Sequence, residues 1–475
     1  PQQYDRGGAI VANVQQNTAS LYGVTYPIIG KVRRQVISQF PARIVIGDTS
    51  RSDQQNVSEW VISDLTGGAG IENIDEKQHT DRFWYSTGLW TLDKRATYLP
   101  PLRQILGSSL SGGARLIPNG APTRVGFIFT APGDLFFAGG KFIYHWNTTT
   151  RVWDAVVTSG SDSDYVTDMI YYTNTSGVAR VYACFSGSNK GYQYCSTDPT
   201  AWTAKTTMEP LFFTEFDKKL IAVGNNSGSK KGIQYSTDGD TWTAALDLVN
   251  SPAVTGLHTI RLSETGESMI IFTTLDGIYT FDFWTGSVYK IIDLKDQCFY
   301  ENGLGGTVHR NILYSPTRAA LLKLQGSVLS DIGAYKDDGV PQGESSKIYS
   351  VTGLNEWITA GIGRSINVHN GTGWHTLVRF ATGVISESIA ADGVISLSST
   401  TYNLYSAGCV DSVSANSAAL CDYIELPVGG ERPIRTPGFK FEPTGTLFTG
   451  DFDASFVNWD KLFTSLEVTA SQMTA

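Results

Sequence analysis

One phrase recurs along the chain, and it limits the possible folds more than any other feature. Its clearest copy is Lys231-Gly232-Ile233-Gln234-Tyr235-Ser236-Thr237-Asp238-Gly239-Asp240-Thr241-Trp242. A glycine starts a short alternating strand, a Ser-Thr-Asp-Gly turn ends it, and a tryptophan follows. Ser and Asp side chains accept hydrogen bonds from the N–H groups of their own turn, and Gly supplies a positive φ. The Trp is expected to fold back over the hairpin and bury a large apolar face. Degraded copies start at Gly140, Gly191, Gly277 and Gly363; with Gly232 in its place, the spacings are 51, 41, 45 and 86 residues. The last gap holds two periods, and Ala319 to Gly326 fills the missing copy without its Trp. A weak final copy surrounds Gly393.

A period of roughly 40–50 residues, with about four strands in each, is the spacing of a β-propeller blade. The neighbouring strands are readable as well. Leu220–Gly224 and Met269–Thr273 precede the phrase, and Leu211–Thr214 and Leu257–Leu262 precede those. The expectation is an all-β chain whose residues 106–425 form a six- or seven-bladed propeller. A pair of β-sandwiches is the alternative, but it leaves the recurring Trp unexplained.

Composition supports this reading. A chain of 475 residues is too long for one ordinary core unless repeats absorb the length. Charged residues are 17%, aromatics 12%, and there are 49 glycines, a balance suited to strands joined by tight turns. The net charge of −9 is spread out, which argues against a nucleic-acid partner. The basic run Lys31-Val32-Arg33-Arg34 reads as a solvated or interface segment. No apolar run of about eighteen residues occurs, so no membrane insertion is expected. No leader is visible, and Pro1 fits a start trimmed of its methionine in a cytosolically made protein.

The flanks do not follow the repeat. Residues 1–40 read as an extended arm in which Leu21–Gly30 has strand character but no partner nearby. Residues 41–105 hold strand candidates at Ala42–Ile46, Glu59–Asp64 and Arg82–Leu92, closed off by Pro100 and Pro101. Residues 426–475 hold further candidates at Gly438–Pro443, Gly445–Gly450 and Lys461–Thr469. Strands this short need something to pack against. The two flanks, 41–105 and 426–475, are therefore expected to form one smaller β-unit, or to pair with another subunit.

No catalytic, cofactor-binding or metal site is legible. Gly67-Gly68-Ala69-Gly70 lacks the Lys-Ser/Thr of a P-loop and reads as a turn. His369 and His375 flank an Asn-Gly turn, and read as packed or solvent-facing rather than as a metal pair. Cys184 with Cys195, and Cys409 with Cys421, flank turn-like stretches, but five cysteines without tight spacing read as reduced thiols. Trp84, Trp90, Trp146 and Trp284 offer faces for sugar stacking, with core or hairpin packing the favoured reading.

Ser236 to Trp242 resembles the Asp-box of sialidases and other BNR-repeat proteins, and Tyr194–Asp198 with Trp202 resembles it more distantly, with Pro199 in place of the Gly. In that family the motif sits on an outer hairpin and is structural, so the resemblance implies fold and not activity. A sialidase would also need three arginines on one face. Arg261, Arg310, Arg318 and Arg364 are present, without a signature in their spacing. The arm Pro1–Ile10, the phrase Glu59–Gly70 and the ending Gly445–Asp451 before Lys461 are similar to structural tail proteins of tailed bacteriophages, which carry a propeller between flanking strands. This resemblance implies a virion component of the tail, tail tip or nozzle, made in the bacterial cytoplasm. Its partners would be other virion proteins and symmetric copies of itself, with a host-surface glycan as a further contact. It implies no enzyme. The alternative is a carbohydrate-binding or glycan-hydrolysing propeller.

Overall fold

A computed structural model describes residues 18–21, 24–27, 30–35, 57–62, 65–70, 73–74, 82–92, 100–106, 440–448, 451–452 and 462–466. It also describes 126–427, with gaps at 162–163, 188–189, 227–230, 249–252, 262–267, 295–301, 318–319, 327, 335–346, 381–383, 393–400 and 411–419. Among these residues there are strands and turns and no α-helix.

Six blades of a propeller are each made from one continuous stretch: 126–158, 165–205, 208–247, 254–293, 307–331 and 348–379. Each is a four-stranded antiparallel meander, numbered here as blades 1 to 6. A seventh four-stranded sheet is composite. Val384–Asp392, Thr401–Val410 and Leu420–Pro427 supply three strands, and Gln104–Ile105 from the N-terminal flank supplies the outer one. Asp422 pairs with Ile105 and Tyr423 with Gln104. Each inner strand packs against the inner strands on both sides, and that of blade 7 packs against that of blade 1, so the ring is closed.

The repeated phrase is the third strand of a blade and the turn that follows it. It spans Phe142–Asn147, Gly191–Cys195, Lys231–Ser236, Gly277–Asp282 and Ser365–His369. Ala320–Gln325 is the third strand of blade 5, so the copy without its Trp is in place. The copy at Gly393 is a correction. That residue falls between the first and second strands of blade 7 and lies outside the described residues; the third strand there is Leu420–Pro427.

The core is a stack of layers between blades rather than one central mass. Each of the seven junctions has its own buried cluster. Leu135, Phe137 and Trp153 of blade 1 meet Tyr405 of blade 7. Phe216, Ile221 and Ile233 of blade 3 meet Ile270, Phe272 and Phe281 of blade 4. Burying one such side chain is worth roughly 1.5–3 kcal/mol, so these layers hold the ring together. Strand alternation makes this possible, because neighbouring residues face opposite blades. In blade 5, Leu321 faces blade 6 while Leu322 and Leu324 face blade 4.

The flanks pair with each other. Gly30–Gln35 lies between Val57–Ile62 and Leu462–Leu466 in a three-stranded sheet. Tyr85–Thr87 pairs with Thr446–Phe448, Asn73–Ile74 with Asp451–Phe452, and Pro101 bridges Phe441. Some expected bounds change. Thr18–Leu21 and Val24–Pro27 form a hairpin, so this part of the arm pairs with itself. The arm's Gly30–Gln35 belongs to the flank sheet, and Gln104–Ile105 belongs to the ring. Arg82–Leu92 is not one strand: Arg82–Phe83 and Tyr85–Thr87 are separate, and Gly88 turns the chain at φ 63°. Ala42–Ile46 and Pro1–Ile10 lie outside the described residues.

Candidate functional site

In blade 3, Asp238 Oδ1 accepts from the N–H groups of Asp240 (2.8 Å) and Thr241 (2.7 Å) and from the Ser236 hydroxyl (2.8 Å). The Ser236 Oγ in turn accepts from Gly239 N–H at 2.8 Å. Burial works against ionisation of Asp238, but these donors outweigh it and hold the carboxyl well below the usual range. Gly239 sits at φ 81°, and a Cβ there would strike the Tyr182 hydroxyl of blade 2. Asn147, Asp198, Asp282 and Asn370 do the same work in blades 1, 2, 4 and 6, each accepting N–H groups two or three residues on. An Asx residue is thus the constant of the repeat, and its role is turn bonding.

The aromatic residue after the turn touches its own hairpin, as Trp374 does at His369, Trp153 at Trp146 and Trp202 at the Pro199 carbonyl, but it does not stop there. It wedges against the preceding blade. Trp202 of blade 2 meets Phe136 of blade 1 edge-on at 5.9 Å. Trp242 stacks on Phe213, and its indole N–H donates to the Tyr192 hydroxyl of blade 2 at 3.1 Å. Trp153 donates to the Leu106 carbonyl at 3.1 Å, and Trp374 to the Ile332 carbonyl of blade 5 at 2.6 Å. In blade 4 the wedge is Phe283, against Phe216 and Tyr235 of blade 3, and Trp284 beside it is left 71% exposed. At the junction of blades 6 and 7 the flank supplies Trp90, which meets Trp357 at 5.8 Å.

Of the four tryptophans considered for sugar stacking, Trp90 and Trp146 are buried, Trp84 is half-buried, and Trp284 is exposed. Lys219 Nζ lies 5.5 Å from the Trp284 ring centroid. The arginines do not converge. Arg261 and Arg310 sit at first-to-second-strand turns, Arg364 sits at a second-to-third-strand turn on the opposite face, and Arg318 lies outside the described residues.

His369 pairs with Trp374, and His375 with Val368, so the two imidazoles project from opposite faces of blade 6. Burial pushes His369 down to about 4 and His375 to about 3. Among the described residues no group of three or more His, Cys, Asp or Glu is arranged to hold a metal. Cys184 sits opposite Tyr192, Cys195 opposite Val181, and Cys421 opposite Ala407. All three are buried and free, and burial raises each thiol, Cys195 up to about 12.

Two places join the flanks to the ring. The first is the outer side of blade 6. Asn370 Nδ2 donates to the Thr66 carbonyl at 2.7 Å, and His375 Nδ1 shares a proton with the Thr91 hydroxyl at 2.7 Å. The glycine run is the turn that docks there. A Cβ on Gly68 would lie 2.8 Å from Gly373 Cα, so the two backbones touch. The second is the seam of blade 7. Arg103 Nε lies 3.4 Å from Asp422 Oδ2, the Ser406 hydroxyl bonds the other oxygen, and Arg103 N–H donates to Glu442 at 2.9 Å. Burial pushes the Asp422 carboxyl up to about 6, against the pull of Ser406 and Arg103. These groups hold surfaces together. Nothing in them is arranged as a nucleophile with its base.

No family model matches the chain, and no curated protein matches it. Solved structures to which it is similar include the extracellular domain of a putative hybrid two-component system from B. thetaiotaomicron, at 11% identity and a TM-score of 0.46. That match covers 67% of this chain and 39% of the other. The extracellular domain of a putative one-component system from the same organism gives 11% identity and a TM-score of 0.45, over 75% and 47% of the two chains. A chain of the mitotic checkpoint complex gives 12% and 0.43, over 70% and 97%. The chain spans less than half the length of the first two.

Proposed function

We propose that this chain is a structural component of a phage virion, in the tail, tail tip or nozzle. In this reading the propeller is a rigid platform and the flanks dock it to other virion proteins and to copies of itself. The observation that carries the reading is the flank sheet. Its middle strand, Gly30–Gln35, is paired on both sides, while Val57–Ile62 and Leu462–Leu466 form its two edges. Edge strands present a row of N–H and C=O groups that accept a further strand from another chain. The turn bonding around Asp238 is what an Asp-box would need, which fits a structural role for that motif. No catalytic chemistry and no cofactor is assigned.

The test is incorporation. Deleting residues 462–475 from the full chain is expected to leave a folded propeller that no longer enters particles, scored by antibody-labelled electron microscopy. Normal incorporation of that deletion, or absence of the intact chain from particles, overturns the reading. The glycan alternative has one observation in its favour, the exposed Trp284. Hydrolysis of a bacterial surface glycan by the isolated chain would establish that alternative instead.

A further inference from the structure

Two Asn-Gly pairs lie among the described residues, Asn302-Gly303 and Asn370-Gly371, and the fold equips them differently. Asparagine is a thermolabile residue. Before a glycine it is most so, because no side chain shields the following backbone nitrogen from the Asn amide carbon. The attack of that nitrogen is helped by a base for its proton and by donors aimed at the oxygen that turns negative.

At Asn370-Gly371 both are in place. Gly371 N–H donates to His369 Nδ1 at 3.1 Å, so an imidazole lone pair already holds the proton that must leave. Burial keeps that ring neutral. Asn370 Oδ1 accepts from the N–H groups of Thr372 (3.0 Å) and Gly373 (3.1 Å) and from the Thr372 hydroxyl (2.8 Å). These bonds fix the turn. They also draw electron density from the amide carbon and strengthen as its oxygen becomes an oxyanion. Gly371 and Thr372 are exposed, so water reaches the turn, and nothing lies within 4 Å of where a Gly371 Cβ would stand.

Asn302-Gly303 has neither the base nor the access. Asn302 is fully buried, and Gly303 N–H donates to the Pro316 carbonyl at 2.7 Å, an oxygen too weakly basic to take a proton. A Cβ on Gly303 would strike Thr273.

We infer that Asn370 is a self-deamidation site, and that its conversion undocks the flank turn at residues 65–70 from blade 6. The Gly371 nitrogen gives its proton to His369 and bonds to Asn370 Cγ, closing a succinimide ring. The Cγ–Nδ2 bond breaks, the proton passes from His369 to the departing nitrogen, and ammonia leaves. Water then opens the ring at either carbonyl, giving aspartate or isoaspartate, with no change of oxidation state. The lost nitrogen is the one that donates to the Thr66 carbonyl at 2.7 Å. A carboxylate oxygen in its place faces that carbonyl with no proton to share, and the two repel. Isoaspartate also adds a methylene to a backbone that has no slack, since a Cβ on Gly373 would already strike the Gly67 carbonyl. The dock is therefore tight in new chains and loosens as they age.

The experiment is incubation of the full chain in mildly alkaline buffer, followed by peptide mapping by mass spectrometry and by hydrogen exchange at residues 65–70. Asn370 should convert while Asn302 stays intact, and faster in the folded chain than in urea. His369→Gln and Thr372→Val should each slow conversion about tenfold, through loss of the base and of one oxyanion donor. If either variant melts early, the comparison of folded with urea-unfolded parent decides alone. Asn370→Asp keeps an oxygen for the Thr372 and Gly373 N–H groups, so its turn persists and its effect reads on the dock. It should raise exchange at 65–70 about tenfold while the blade strands stay protected. Conversion no faster in the folded chain than in urea, or equal at Asn302 and Asn370, overturns the site. Unchanged exchange at 65–70 in Asn370→Asp overturns the undocking.

Discussion

Blade 5 has two faces, and they are finished differently. Toward blade 6 it is sealed: Trp374 is buried among Tyr314, Leu321, Ile348 and Ile358, and its indole N–H reaches the Ile332 carbonyl. Toward blade 4 the inner part of the junction is closed by isoleucines and leucines, and the outer part stands open at Tyr289 and Leu329. Both faces belong to one sheet with ordinary antiparallel register. Strand sequence therefore does not decide the outcome. Turn length does at this junction, because a four-stranded blade splays outward and the ring that crosses the widening gap between consecutive blades is carried on, or just after, the turn that leaves the third strand. In blade 5, Gln325 pairs directly with Val328 across a tight turn at Gly326, leaving no room for one.

The comparison breaks most visibly at Trp374. Trp374→Ala removes the sealing ring and leaves a cavity, and should cost about 3–5 kcal/mol in urea-induced unfolding. A loss below about 1 kcal/mol would mean that the sealed and open faces are equivalent. The next effect is on acid stability, through the histidines beside that ring. Unfolded histidines take up protons near the usual value of 6.5, whereas burial delays His369 to about 4 and His375 to about 3. Between those values the unfolded chain binds more protons. Stability should then be full above pH 6.5 and fall on the order of a few kcal/mol as the pH drops toward 4. His375→Gln should flatten that slope relative to the parent, and an unchanged slope in urea midpoints would show that His375 is not held neutral. The smallest effect belongs to the open face. Leu329→Lys should change the monomer's stability by less than about 0.5 kcal/mol. A larger loss would show that the rim is packed after all.

The ring was largely legible, and the reason is periodicity. The glycine-to-tryptophan phrase marks one strand and one turn per blade, and five of its copies fall on third strands or the turns leading into them. The Asx turns were readable because Asn and Asp bond their own backbone, which is local chemistry. The wedging of the aromatics was legible only in part. A Trp after a turn reads as a cover for its own hairpin, and only the packing of neighbouring blades shows that it serves the blade before it as well. The composite seventh blade was not legible either. Gln104-Ile105 is two residues long and carries no pattern, and its partner lies beyond the whole ring. The opening between blades 4 and 5 left a faint trace, the copy at Ala319–Gly326 without a Trp. That absence marks the outer rim, where the turn after this copy bears on blade 4.

The seam has a consequence for the order of folding. Strands within each of blades 1 to 6 are close in sequence and can pair as soon as they leave the ribosome. The Tyr423 hydroxyl and the Gln104 side chain that meet at 2.8 Å are 319 residues apart. Closing so long a loop is entropically dearer than any pairing inside a blade, though the cost grows only with the logarithm of its length. High sequence separation also slows the step. The first-made strand of the ring therefore waits longest for its partner. Until the strands of blade 7 from Val384 onward are synthesised, the growing propeller is an open arc with one apolar face of blade 1 uncovered, and Trp153, Phe137 and Ile128 lie on that face.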